Sequence, residues 1–288
     1  MIILPDTKDL IELVEHARPL GLESFTTWLQ ERDARLALTF TNVREFSDVL
    51  RETHDILYVR SILQKLESLP AVFLREATIS VEEISESIRA FEEKREPRMH
   101  SPFVPRWDYT FAKWGERPPA QMMVGYRLDL MVFDLSGPDP RRVARKREAL
   151  SAIKKDRATP RAERLSPRES MKHALENIVT FSGLTPPSKG IESLAKWVYA
   201  NPNRCPGFRL GWELFHELVR NETDRLQESD VEDHAHFPAI PYVDYATMDR
   251  RMTGYIKNIA RRLVRRDTGL DYSCRVFKSL SELMNAVD

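Results

Sequence analysis

Ile2–His16 reads IILPDTKDLIELVEH. Three apolar residues run without polar alternation into Pro5-Asp6. From Thr7 onward apolar side chains recur at helical spacing, with Leu10, Ile11, Leu13 and Val14 on one face. The reading is a buried strand ending at Pro5-Asp6 and a helix over 7–16. The pattern returns downstream. A helix is expected over 22–34, ending in the polar run QERDAR. A second buried strand is expected over Leu36–Phe40 (LALTF), then a helix starting near Val43 behind the N-cap side chains Thr41 and Asn42. Buried strands separated by helices point to an α/β fold with a parallel sheet covered on both faces.

The centre has a different texture. Residues 51–95 read as mostly helical and highly charged, and 97–120 are rich in proline and aromatics. Residues 122–135 are apolar, and 138–170 are basic and prolyl. The chain therefore reads as a first part over 1–80, a mainly helical insertion over 81–190, and a second part over 191–288. The basic stretch from Arg141 to Arg168 is either a solvated helix with loops or a surface facing RNA. In the second part the spacing predicts helices over 191–199 and 211–226, with the loop NPNRCPGFRLG between them. A strand is expected over 242–248, a basic helix over 250–266, a short strand over 273–277, and a last helix over 280–287 behind Ser279.

The 288 residues are 42% hydrophobic, enough for a sizeable core. The 44 basic and 44 acidic side chains cancel, which neither favours nor excludes a nucleic-acid partner, since a local patch can hide in a neutral total. No apolar run reaches the ~20 residues of a membrane span. The N-terminus lacks the basic start and cleavage site of a signal peptide. Cys205 and Cys274 form no CxxC pair, and a reducing, cytoplasmic setting fits them. There is no GxxxxGK[ST] and no GxGxxG after a strand, so nucleotide-binding and phosphatase readings have little support.

Ser229–Arg251, SDVEDHAHFPAIPYVDYATMDRR, carries the chemistry. Asp233 is expected to open a helix, and Asp249 follows a strand. With Asp6 after the first strand and Glu45 just after the second, four acids fall where a parallel sheet gathers ligands, outside the carboxyl ends of its strands. Carboxylates crowded there repel one another unless a cation neutralises them, and hard oxygen donors select Mg²⁺ or Mn²⁺. The acids also have plain alternatives: Asp6 as a helix N-cap, and Glu45, Asp230 and Asp233 as partners of a helix dipole. His236 is either a half-buried core histidine or a hydrogen-bond partner of an acid. Asp244, inside an apolar strand, either supports the site or pairs with an arginine. Asp230, Thr7 and Thr247 are read as further supports.

In order and context these segments resemble the PIN-domain ribonuclease superfamily. ILPDTKDLIELV is similar to its strand and DTN-like turn, TNVREFSDVL to its second motif, and the pattern DxxDxxH…PYxD…TxD over 230–249 to a bacterial subgroup. The resemblance covers about 1–60 and 195–288. It implies a three-layer PIN-like fold, interrupted here by the insertion, with Asp6, Glu45, Asp233 and Asp249 as catalytic metal ligands for Mg²⁺ or Mn²⁺. It implies hydrolysis of RNA phosphodiesters, with single-stranded DNA as a second substrate class. Lys8 stands where the motif has Asn, and is read as a phosphate contact or as a mark of weakened activity. Arg44, Arg250 and Arg251 are read as phosphate contacts or as plain surface arginines. A homodimer and an antitoxin or other protein partner are also implied, in a toxin or defence role. The competing reading is a catalytically weak or inactive PIN-like scaffold that acts through its helical insertion.

Overall fold

The computed structural model describes residues 1–15, 21–98, 101–104, 128–137, 140–223, 225–227, 229–264 and 272–287. The first half runs β1 (Ile2–Leu4), α1 (Thr7–Glu15), α2 (Leu22–Glu31), β2 (Arg35–Thr39), α3 (Phe40–Thr53), α4 (Ile56–Leu66), β3 (Ala71–Leu74), α5 (Glu76–Glu92) and β4 (Phe103–Val104). Four helices follow: α6 (Leu128–Leu135), α7 (Pro140–Ala158), α8 (Pro167–Phe181) and α9 (Ile191–Ala200). The chain closes with α10 (Pro206–Arg220), α11 (Ser229–His236), β5 (Tyr245–Thr247), α12 (Arg250–Val264), β6 (Val276–Phe277) and α13 (Leu280–Ala286).

The six strands form one mixed sheet in the order β4-β3-β2-β1-β5-β6. All neighbours are parallel except β4, which adds antiparallel to β3. β1 lies inside the sheet, with Ile3 opposite both Leu36 of β2 and Tyr245 of β5. Successive side chains on a strand face opposite ways. Ile3, Leu36 and Leu38 accordingly join one core with α1–α4, α6 and α13, while Leu4, Ala37 and Ala246 join another with α10 and α12. Burial on both faces is why these strands read as unbroken apolar runs. No helix among the described residues is long and apolar enough to cross a membrane.

A third core joins α5, α8, α9 and α10 through Ile84, Met171, Leu175, Leu194, Val198 and Phe208. Packing is therefore continuous across 190, where the insertion was expected to end. The stretch 51–95 is mostly helix, as expected, with one strand inside it. Its four-residue run AVFL, just after Pro70, is β3, a strand too short to outweigh the charged helical pattern around it. The apolar stretch 122–135 is described only from Leu128, and most of the aromatic-rich stretch 97–120 lies outside the described residues, as do Arg265 and Arg266 at the end of the basic helix.

α10 starts at Pro206, five residues before the expected position, so Gly207 and Gly211 lie inside a helix. The reason is tertiary. The 3₁₀ segment Phe237–Tyr242 crosses α10 so closely that a Cβ on Gly207 would lie 2.5 Å from the Pro238 carbonyl oxygen and 2.9 Å from Ile79 Cγ2. Buried Glu83 then holds the helix start, accepting from the Gly207 and Phe208 amides at 2.8 and 2.7 Å and from the Tyr242 hydroxyl at 2.6 Å. Replacing a helical glycine by alanine ordinarily gains about 1 kcal/mol. Here the methyl group meets backbone, and Gly207→Ala is expected to cost about 1–3 kcal/mol instead. Urea unfolding of the variant checks the sign.

Candidate functional site

The carboxyl ends of β1, β2 and β5 meet the starts of α1, α3 and α12, and the acids gather there. Asp6 leaves β1 with its amide donating to Thr247 Oγ1 at 2.9 Å, which joins the ends of β1 and β5. Its Oδ1 accepts the Lys8 amide at 3.0 Å, closing the turn into α1. Glu45 lies in the second turn of α3. One of its oxygens accepts the Thr7 hydroxyl, and the other faces His236 Nε2 at 3.9 Å. Asp249 is exposed and caps α12 by accepting the Met252 amide at 2.6 Å.

Asp233 differs from its expected place. It lies in the second turn of α11, not at the helix start, so the helix-dipole reading, which needs an acid in the first turn, does not apply to it. Burial, with Glu45, Asp6 and Asp249 nearby, pushes its carboxyl up to about 8, against an opposing pull from His236. Burial likewise raises Asp6, helped by Glu45 and Asp249 and opposed by the Lys8 amide and His236. The four expected acids thus act on one another electrostatically, with His236 among them. Among the described residues no group of three or more His, Cys, Asp or Glu side chains is arranged to hold a metal ion.

Asp244 lies elsewhere. It precedes β5 at the amino end of the sheet, where its Oδ2 accepts the Ile2 amide at 2.7 Å and its own amide donates to Ile2 O at 2.9 Å. Among the described residues it neither touches the acids nor pairs with an arginine, and it fixes the register of β1 and β5. Asp230 is fully buried and holds the Arg251 guanidinium, which also donates to Arg225 O at 3.1 Å. That pair turns Arg251 away from the rim and leaves Asp230 outside the acid group. Lys8 is 79% exposed and pairs with Glu12 at 3.5 Å, so its charge lies at the edge of a cleft of about 480 Å³ that Asp6, Thr7 and Glu45 also line. Arg44 is exposed over the Phe40 ring, and Arg250 is exposed at the first position of α12. On α12, Arg262 is bound by Glu213 and Glu217, whereas Lys257 and Arg261 face solvent.

Two residues gain roles that the sequence did not assign. Asn42, read as an N-cap, is the third residue of a capping box with Thr39 and reaches across to Thr7 at 2.9 Å and Pro5 O at 3.2 Å. Asp9 is only 7% exposed on the inner face of α1, and its Oδ2 has no hydrogen-bond partner among the described residues. Burial pushes its carboxyl up to about 7, while the Thr247 hydroxyl and Leu280 amide pull it down and Asp6 adds to the rise. Because Thr247 Oγ1 already accepts the Asp6 amide, its own proton is free to point to Asp9. The legible signal was an acid four residues before Leu13, on the apolar stripe of the helix.

Comparison of the chain with protein-family models, with curated proteins and with solved structures gave no match.

A folded-state pKa raised above the ordinary 3.8 means that the folded chain holds its protons more tightly than the unfolded chain. The stability that Asp9 and Asp233 contribute is complete below that value and is lost as pH rises through about 7 and about 8 respectively. In EDTA the urea midpoint should therefore fall between about pH 5 and about pH 8. Asp233→Asn should fall less over that range. Equal slopes for the two proteins would show that Asp233 is not buried among like charges.

Proposed function

We propose that this chain is a PIN-like, metal-dependent endoribonuclease that hydrolyses RNA phosphodiesters at the group Asp6, Glu45, Asp233 and Asp249. The observation that carries this reading is the gathering of these carboxylates at one end of the sheet, where burial first, and then Glu45, Asp6 and Asp249, push the carboxyl of half-buried Asp233 up. Like charges crowded away from water are costly unless neutralised, and His236 opposes the rise at both Asp6 and Asp233 without cancelling it. The donor set suits a hard divalent ion: all oxygens, from four separate segments, beside a cleft open to solvent. Among the described residues these four side chains are not arranged as a metal site, and on this reading Asp6, Glu45, Asp233 and Asp249 are the groups that would hold Mg²⁺ or Mn²⁺. When bound, the ion supplies the charge that acidifies water and steadies a departing phosphodiester oxygen.

The rest falls to the protein's own side chains. Thr7 orients Glu45 by donating to one of its oxygens, and Thr247 fixes the turn that carries Asp6. His236 faces Glu45, with its Nε2 3.9 Å from a carboxylate oxygen. Arg250, Lys257 and Arg261 recur at 7- and 4-residue spacing on one face of α12, starting beside Asp249. Three exposed cations in a row form a track for a nucleic-acid backbone leading to the acids. The track does not include Arg262.

With Mn²⁺, purified protein is expected to cut RNA and to stop in EDTA, and Asp6→Asn with Asp233→Asn should abolish cleavage. Cleavage that survives the double change would place the reaction elsewhere. Mn²⁺ should also raise the melting temperature of the wild-type protein and not that of the double variant, because a ligand stabilises only the state that binds it. No shift, together with no cleavage, would favour the non-catalytic scaffold.

A further inference from the structure

A cavity of about 600 Å³, larger than the cleft beside Asp6, lies where the turn between α7 and α8 crosses the carboxyl-terminal end of α10. Ligand pockets commonly enclose roughly 300–1,000 Å³, with an apolar wall and a few convergent polar groups. This one has both. Phe215, Val219 and Pro167 line it, and Leu165 is 53% exposed over it. Among the described residues, three arginines and two acids line it, and no lysine does.

The arginines are differently held. Arg164 is fixed: its Nε donates to Thr159 O at 2.9 Å, and its Nη2 donates to Arg157 O and to Glu222, both at 2.8 Å. Its Nη1 has no hydrogen-bond partner among the described residues. Arg161 is 80% exposed and 3.5 Å from Glu222, and Arg220 is 3.7 Å from Glu217. A pinned guanidinium with its Nη1 open, flanked by two freer ones, can donate to the tetrahedrally arranged oxygens of a phosphate from fixed directions, as point charges cannot. Ser170 Oγ and His216 Nε2 lie 3.0 Å apart in the same wall. Burial holds the His216 pKa down to about 4, so near neutral pH the ring is uncharged and offers hydrogen bonds to a polar ligand edge. Its ring packs on Trp212 with centroids 4.1 Å apart, which places an indole reporter one side chain from the cavity.

We propose that this cavity binds a nucleoside monophosphate, with the phosphate on Arg161, Arg164 and Arg220 and the base against Phe215, Val219 and Leu165. The site is separate from the acids at the sheet and does not depend on their function.

The test is calorimetric titration of the whole chain in EDTA with AMP, GMP, CMP and UMP, and with inorganic phosphate and adenosine, with tryptophan fluorescence as a second readout. At least one nucleotide should saturate, and phosphate alone and adenosine should bind about tenfold more weakly or worse, since each lacks half of the contacts. Arg161→Ala with Arg220→Ala, both at exposed positions, should weaken that nucleotide by about tenfold with an unchanged urea midpoint. Leu165→Glu, which places a carboxylate over the opening, should weaken it as well. Asp6→Asn should bind like the wild type. The proposal is overturned if none of the four nucleotides saturates at millimolar concentration, if phosphate alone binds equally well, or if both cavity variants bind like the wild type.

Discussion

Asn42 satisfies its full hydrogen-bonding capacity at the point where β1 and β2 end. Its Oδ1 accepts from the Thr39 amide at 2.9 Å and the Thr39 hydroxyl at 2.8 Å, and its Nδ2 donates to Pro5 O and Thr7 Oγ1. A carboxamide has two acceptor and two donor positions, and all four are used here in a buried place. The consequence runs outward. The amide sets the start of α3 relative to the turn into α1, so Thr7 and Glu45 come within hydrogen-bond reach although 38 residues separate them. Removing it would leave buried donors and acceptors unmatched on two strands at once, which is costlier than the loss of any single bond.

The sheet and the acids are coupled by the same geometry. Parallel strands put all their carboxyl ends on one side, and the turns that leave them start helices there. Asp6 and Asp249 each use an oxygen to cap a helix start, so local structure alone explains their position. Asp233 has no such local role, and its crowding with the other three is the feature that folding by itself does not account for. At the other end of the sheet Asp244 settles which residues of β1 and β5 face each other, which shows how the same side chain type serves register in one place and charge in another.

Away from the sheet, ionic pairs organise the helical layer. Arg209 and Glu213 are almost fully buried within α10 and 2.8 Å apart, and Arg262 of α12 joins the same carboxylate. Breaking one member would strand a buried charge, a change of several kcal/mol. This is why a helix rich in arginine is not uniformly a binding face. Arg262 belongs to the interior, while Arg250, Lys257 and Arg261 remain outside.

Local patterns were enough to determine the strands β1 and β2, the helices beside them and the α/β class, because apolar runs and helical periodicity are written in neighbouring residues. The acids Asp6 and Asp249 were legible for the same reason, as each follows a strand and caps a helix, and Glu45 was legible from its place soon after β2, one turn into α3. Tertiary structure alone decided what depends on distant partners. It made AVFL a strand through its neighbour β2, and the approach of Pro238 leaves room only for glycine at position 207 of α10. It also turned Arg251 inward to Asp230 and brought Asp9 beneath Thr247. Burial and pairing are properties of the folded surroundings. No window of sequence contains the residue, tens to hundreds of positions away, that supplies them.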